Sequence, residues 1–205
     1  MKYILLGIAG FLVACLFDFV SLRKIPSAKQ AIEVIAACLT SYAHLMTCIR
    51  GERLSLSVGF SYVGWPLFGL ASVGMVYSLF LEIPFKQTYI AEGAGNKLVT
   101  TGTYALTRHP GVLWYALMLI SLIFVSKRQL MLLAAPIWLF MDVLYVWIQD
   151  RFFFPQMFPD YGCYQRETPM LIPNRASLSR CFTTFAEGWK RTDHSRKEKR
   201  RDNHC

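Results

Sequence analysis

A tyrosine, an arginine and a histidine fall within six residues of one another in "TGTYALTRHPG", Thr101 to Gly111. A guanidinium grips carboxylate or phosphate oxygens, and an imidazole moves protons near neutral pH. Gly102 permits a tight turn, and Pro110 suits the first turn of a helix, where its missing N–H costs little. An arginine beside a helix N-terminus makes a site for an anion. A plainer reading fits the same residues: Arg108 anchors a membrane helix to headgroups and His109 is solvated. A second group comes later in the chain. Gln149, Asp150 and Arg151 precede Phe158, Asp160, Tyr161, Tyr164 and Pro169, and the segment ends at Ile172-Pro173. Asp150 can accept hydrogen bonds from a ribose or pair with a cationic group of a ligand. Tyr161 and Tyr164 also suit headgroup depth.

A third set lies inside apolar sequence: Asp18, Glu33, His44, Glu82 and Asp142. Ionisable groups within membrane segments are functional suspects by default. Asp18, Glu33 and Glu82 sit near block ends and can reach water. His44 and Asp142 are deeper. Asp142 precedes Asp150 by two helical turns, so the two can share a face.

These residues need elements to place them, and those elements are membrane helices. The chain of 205 residues is 54% hydrophobic and 17% charged, where soluble domains have roughly 45–50% apolar and about 25% charged residues. The apolar excess falls into blocks: Tyr3 to Val20, Ala31 to Ile49, Leu54 to Phe85, Gly111 to Val125 and Leu130 to Ile148. Such blocks predict about five spans in an all-α integral membrane fold. The first is read as a retained span, because no small-residue cleavage site separates it from Arg23 and Lys24. The third exceeds one span, and Pro66 predicts a kink or tilt. Only Ser126 to Gln129 separates the last two blocks, which predicts an antiparallel helical hairpin. The loop before that hairpin and the segment after it then share one membrane side, and Arg108-His109 comes to lie near Asp150 and Tyr161.

Eleven of the 22 Lys and Arg residues follow Asp150. The positive-inside rule places this tail and the motif loop in the cytoplasm, with the N-terminus outside. Basic residues on short loops and a tail point to anionic headgroups rather than nucleic acid. The six cysteines form no CxxC pair, so neither a metal site nor a disulfide framework is expected. "EGAGN", Glu92 to Asn96, reads as a flexible loop rather than a dinucleotide motif. After Pro173, "ASLSRCFTTFAEGWKR" sets Leu178, Phe182, Phe185 and Trp189 on one helical stripe, with Ser177 able to cap its start. It predicts an interfacial amphipathic helix over 174–191. The charged stretch 192–205 is expected to be disordered. Residues 1–173 form the membrane domain, with 98–173 as its motif-bearing core.

The two motifs together resemble those of the membrane isoprenylcysteine carboxyl methyltransferase and phospholipid methyltransferase superfamily. That family's signature runs G-x-Y-x-x-x-R-H-P-x-Y-x-G, then a short helical hairpin, a Glu-Glu pair, F-G-x-x-Y-x-x-Y and a proline-bearing end. Gly102, Tyr104, Arg108, His109 and Pro110 match the first part in residue and spacing. Phe158, Tyr161, Tyr164, Pro169 and Pro173 match the last, with one residue fewer between Phe158 and Tyr161. Val112 stands in place of the family tyrosine, Trp114 and Pro159 in place of glycines, and Gln149-Asp150 in place of Glu-Glu. The resemblance covers Leu98 to Pro173. It implies S-adenosylmethionine on the cytoplasmic side and a lipophilic acceptor entering from the bilayer. Arg108 and His109 would hold the cofactor's carboxylate end, with Gly102 in the same motif. Tyr104, Tyr161 and Tyr164 would shape its pocket. Asp150 would stand for the second glutamate, and Asp150 or His109 would serve as a base where the acceptor carries a proton. Two alternatives stay open: an NADPH-dependent reductase of the sterol or steroid type, whose C-terminal motifs are similar, and a non-catalytic membrane protein whose basic tail binds lipid or a partner.

Overall fold

The computed structural model describes residues 1–22, 26–83 and 98–186, and for 21–22 and 26–30 the backbone alone. "EGAGN", Trp189 and the stretch 192–205 lie outside the described residues. The long helices are α1 (Lys2–Leu22), α2 (Pro26–Ile49), α3 (Gly59–Val76), α5 (Pro110–Ser126) and α6 (Gln129–Ile148). Between α3 and α5 comes a single turn, α4 (Thr103–Leu106). After α6 come α7 (Phe154–Met157), α8 (Tyr161–Glu167) and a helix over 175–186, here α9. α3 and α6 each widen into a π-helical turn, Tyr77–Leu81 and Gln149–Phe153. Among the described residues the only β-pairing is an isolated bridge between Arg53 and Arg128.

Four segments are long and apolar enough to cross a membrane: Lys2–Val20, Ala31–Ile49, Gly59–Leu81 and Gln129–Met157. α5 is apolar and shorter, at 17 residues, the lower end of what spans a hydrocarbon core of ~30 Å. The chain is therefore a multi-pass all-α membrane protein. Its outer faces fit lipid: Leu12, Leu16, Val73 and Phe140 are each more than half exposed. Lipid is as apolar as leucine, so such helices associate through close packing at small residues. The buried Ala36, Ala43, Ala71, Ala134 and Ala135 mark those contacts. α1 packs chiefly on α2, and α3 on α5, with α6 joining α1, α2 and α5. Trp138 of α6 is fully buried and donates its indole N–H to the Ile4 carbonyl at 3.2 Å, which fixes α1 in the bundle.

The hairpin connector is shorter than the spacing of the apolar blocks predicts. Ser126 and Gln129 belong to the helices, so only Lys127 and Arg128 link them, with Lys127 in the left-handed region at φ 50°. The turn is tied to the preceding loop by Leu54 N–H to Lys127 O at 2.8 Å and Gln129 N–H to Glu52 O at 3.0 Å. Residues 54–56 are spent on this tie rather than on the third span, which starts at Gly59. Trp114 is accommodated by Gly74 of α3, where a Cβ would overlap its ring. The indole N–H donates to Ser78 Oγ at 2.9 Å. α9 is capped by Asn174 rather than Ser177. Asn174 Oδ1 accepts from the Ser177 N–H at 2.8 Å, and Ser177 Oγ accepts from the Asn174 N–H at 3.0 Å, a reciprocal capping arrangement. Leu178, Phe182 and Phe185 are exposed on α9, whereas Ser177 and Cys181 face the protein.

Candidate functional site

The motif loop is held from both sides. Gly102 adopts φ 64° and ψ −131°, a region that side chains avoid. Its N–H donates to Thr184 Oγ1 of α9 at 3.0 Å. A Cβ here would collide with the Glu82 carboxylate, which accepts from the Thr103 N–H at 2.8 Å and from the Thr103 hydroxyl. Burial, working against the Thr103 donors, raises the Glu82 pKa above its ordinary value. Further on, Arg108 N–H donates to Pro169 O at 2.9 Å and His109 N–H to Met170 O at 3.2 Å. The two sequence motifs are thus joined backbone to backbone before any side chain is counted.

Arg108 and Asp150 form a bidentate pair. Nε donates to Oδ1 at 2.7 Å and Nη2 to Oδ2 at 2.9 Å, with both side chains about 10% exposed. Nη1 donates to the carbonyls of Gln165 at 3.0 Å and Thr168 at 2.5 Å. These bonds use four of the five guanidinium donors. Burial works against the Arg108 charge, but the Asp150 carboxylate outweighs it and raises the pKa. Asp150 also accepts from the Tyr161 hydroxyl at 2.6 Å and from Gln165 Nε2 at 3.1 Å, and His109 Nε2 lies 3.4 Å from Oδ1. Burial first, and then the carboxylate it donates to, raise the Tyr161 pKa. The Tyr164 hydroxyl donates to Tyr104 O at 2.6 Å, and His109 stacks on Phe154 with centroids 5.7 Å apart.

The expected convergence of Arg108, His109, Asp150 and Tyr161 is what the described residues display. Gln149 takes another direction. Its Nε2 donates to Asp18 Oδ2 of α1 at 2.8 Å, so the Gln149-Asp150 pair divides its work between α1 and the arginine. Asp18 is 6% exposed and is engaged inside the bundle, not turned to water. Gln165, Glu82 and Thr184 also build this site. Glu82 was visible as an acid near a block end, but nothing in the spacing marked Gln165 or Thr184.

The cluster closes one end of a cavity of about 1100 Å³ that runs down between the helices. Tyr104, Arg108, His109, Gln149, Tyr161 and Tyr164 line that end. Gly102 and Asp150 are not among the lining residues. Asp150 stands behind Arg108, His109 and Tyr161, at 7% exposure. The remaining walls are mostly apolar, with Phe11, Trp65, Phe68 and Leu122 among them.

Helices and site together define a membrane protein with a polar constellation at one mouth of an intramembrane cavity. A family model described as a protein of unknown function, DUF1295, matches residues 28–167. That is more than half of the chain, and the chain belongs to this family. Comparison with curated proteins and with solved structures finds no match.

Proposed function

We propose that the chain transfers a methyl group from S-adenosylmethionine to a lipophilic acceptor at the cytoplasmic membrane face. The observation that supports this most is continuity: the Arg108–His109–Tyr161 end and the apolar intramembrane space are one cavity. A lipophilic acceptor needs such a route. α2 packs on α1 and α3 on α5, and no comparable seam joins α2 to α3 among the described residues. Ser41 and Leu45 of α2 and Trp65 and Phe68 of α3 line the cavity there, which leaves a lateral path from the bilayer.

The residues present fit the cofactor. Phe154, Phe158, Tyr161 and Tyr164 line the polar end, and aromatic rings favour a nearby cation such as a sulfonium. Gly111 at the N-terminus of α5 and the remaining Arg108 donor suit a carboxylate. S-adenosylmethionine supplies an activated methyl group for in-line displacement. What the protein adds is alignment and the exclusion of water. Asp150 acts through its neighbours, fixing Arg108, Tyr161 and the His109 ring. A carboxylate can only accept, so the hydrogen shared with Asp150 sits on His109 Nε2, and in the neutral ring Nδ1 keeps a lone pair. Nδ1 then takes a proton from an acceptor hydroxyl, amine or thiol. The basic tail and loops set the motif end against anionic headgroups of the cytoplasmic leaflet.

Calorimetry on the intact, detergent-solubilised protein tests this reading. S-adenosylmethionine is expected to bind saturably and NADPH not to bind, and Arg108→Ala weakens cofactor binding at least ~10-fold, the loss of one charge-assisted contact. Absence of heat with S-adenosylmethionine, or binding of NADPH in its place, refutes methyl transfer.

A further inference from the structure

His44 of α2, Tyr115 of α5 and Asp142 of α6 also line the cavity, outside the motif residues. Nothing in the methyl-transfer reading uses them. His44 Nδ1 lies 2.7 Å from Thr40 O, and Nε2 lies 2.9 Å from the Tyr115 hydroxyl. A backbone carbonyl can only accept, so Nδ1 carries the hydrogen. In the neutral ring Nε2 then accepts, and the Tyr115 hydroxyl donates its proton to it. The arrangement is held by packing. The His44 ring lies 4.3 Å from that of Trp138 and 5.7 Å from that of Tyr115.

With its donor committed, Tyr115 has only oxygen lone pairs to offer. Asp142 of α6 lines the same space. Its carboxyl makes no hydrogen bond to the other described residues, whereas Asp18 and Asp150 on the same bundle are both engaged. A carboxyl group at membrane depth without a protein partner is costly and calls for one. Two acceptors lining one largely apolar cavity recognise a donor.

We infer that Tyr115 and Asp142 form a second polar subsite, one that takes a hydroxyl group on the buried part of a lipophilic ligand. Eight positions of α6 separate Asp142 from Asp150, a rise of about 12 Å. Gln149, which lines the motif end, is seven positions from Asp142, so the ligand carries its hydroxyl on the order of 10 Å from the end that reaches the motif residues. The inference rests on the lipophilic-acceptor reading above and narrows it to hydroxylated acceptors. It does not depend on which cofactor is used.

The test needs no cofactor. 1-Hexadecanol and hexadecyl methyl ether are titrated against the full-length protein and followed by native mass spectrometry. The two differ in the hydrogen-bond donor and in one methyl group. The alcohol is expected to bind roughly tenfold tighter, the worth of one good hydrogen bond. Asp142→Leu reduces that preference to within about twofold, while Asp142→Asn, which keeps an acceptor oxygen, retains most of it. Equal binding of the two probes, no binding of either, or an undiminished preference in Asp142→Leu overturns the subsite. If Asp142→Leu fails to fold, the wild-type comparison of the two probes still decides. A hydroxyl preference without S-adenosylmethionine binding leaves the subsite standing and removes methyl transfer. The reverse pattern does the opposite.

Discussion

Arg108 is both clamp and wall. Four of its N–H groups are spent on Asp150, Gln165 and Thr168, yet it lines the cavity. Its planar fork cannot be replaced by a point charge. Arg108→Lys keeps the charge but leaves Asp150 and two buried carbonyls under-satisfied. Unfolding of the detergent-solubilised variant is expected to show a loss of about 3 kcal/mol, the cost of breaking a buried pair. A loss below about 1 kcal/mol, the worth of a surface pair, refutes the clamp. Tyr161→Phe removes one bond to the same carboxylate and is expected to cost about 1–2 kcal/mol. Its effect adds poorly to that of Arg108→Lys, because both act on Asp150. The types and spacing of Arg108, His109 and Tyr161 made this cluster legible in the sequence, but the roles of Gln149 and Asp150 were not. Neighbours on a helix point to different sides, so one of the two had to leave the cluster. Which one left depends on where α1 presents Asp18, a tertiary fact.

At the scale of elements, both π-helical turns lie at the motif end, one leading to Glu82 and the other containing Asp150. Such turns re-aim side chains and recur at functional sites. No local pattern announced them, because they are set by packing. The spans were legible as apolar blocks, since membrane helices must be long and apolar. Their ends were less so: Ser126 and Gln129 look like loop but serve as helix. α9 illustrates the same limit. Asn174 and Ser177 can both cap, and the reciprocal bonds decide for Asn174. Asn174→Ala is expected to cost about 1 kcal/mol and to speed amide exchange in the first turn of α9, while Ala at Arg175 leaves exchange unchanged. Glu82 yields a pH prediction. Burial raises its folded pKa, so the folded state holds the proton more tightly than the unfolded chain. Its contribution is complete below the ordinary value of 4.5 and is lost as pH rises through the raised pKa. The stability difference between wild type and Glu82→Gln is therefore expected to shift against wild type from pH 4.5 upward. A difference that stays constant over that range refutes the burial account.

For the whole molecule, the hairpin fixes which ends lie together, and the distribution of charge predicts which side they face. The C-terminal ends of α1, α3 and α6 and the N-terminal end of α5 gather at the Arg108–Asp150 cluster. The opposite face carries the turn at Lys127 and Arg128, bonded to Gly51 and Glu52. The Lys and Arg residues that follow Asp150 favour the cytoplasm for the cluster face, and this bias outweighs the few basic residues on the other. Cys163, exposed on α8 beside the cluster, and Lys127 thus belong to opposite sides of the membrane. In a background cleared of the other cysteines, a membrane-impermeant maleimide supplied from the cytoplasmic side is expected to label Cys163. A cysteine introduced by Lys127→Cys, with Cys163 also replaced, is labelled only from the opposite side. Reversed labelling inverts the orientation, and with it the side from which the proposed cofactor would come. Labelling of both positions from one side breaks the hairpin topology, and the joined motifs that rest on it fall with it.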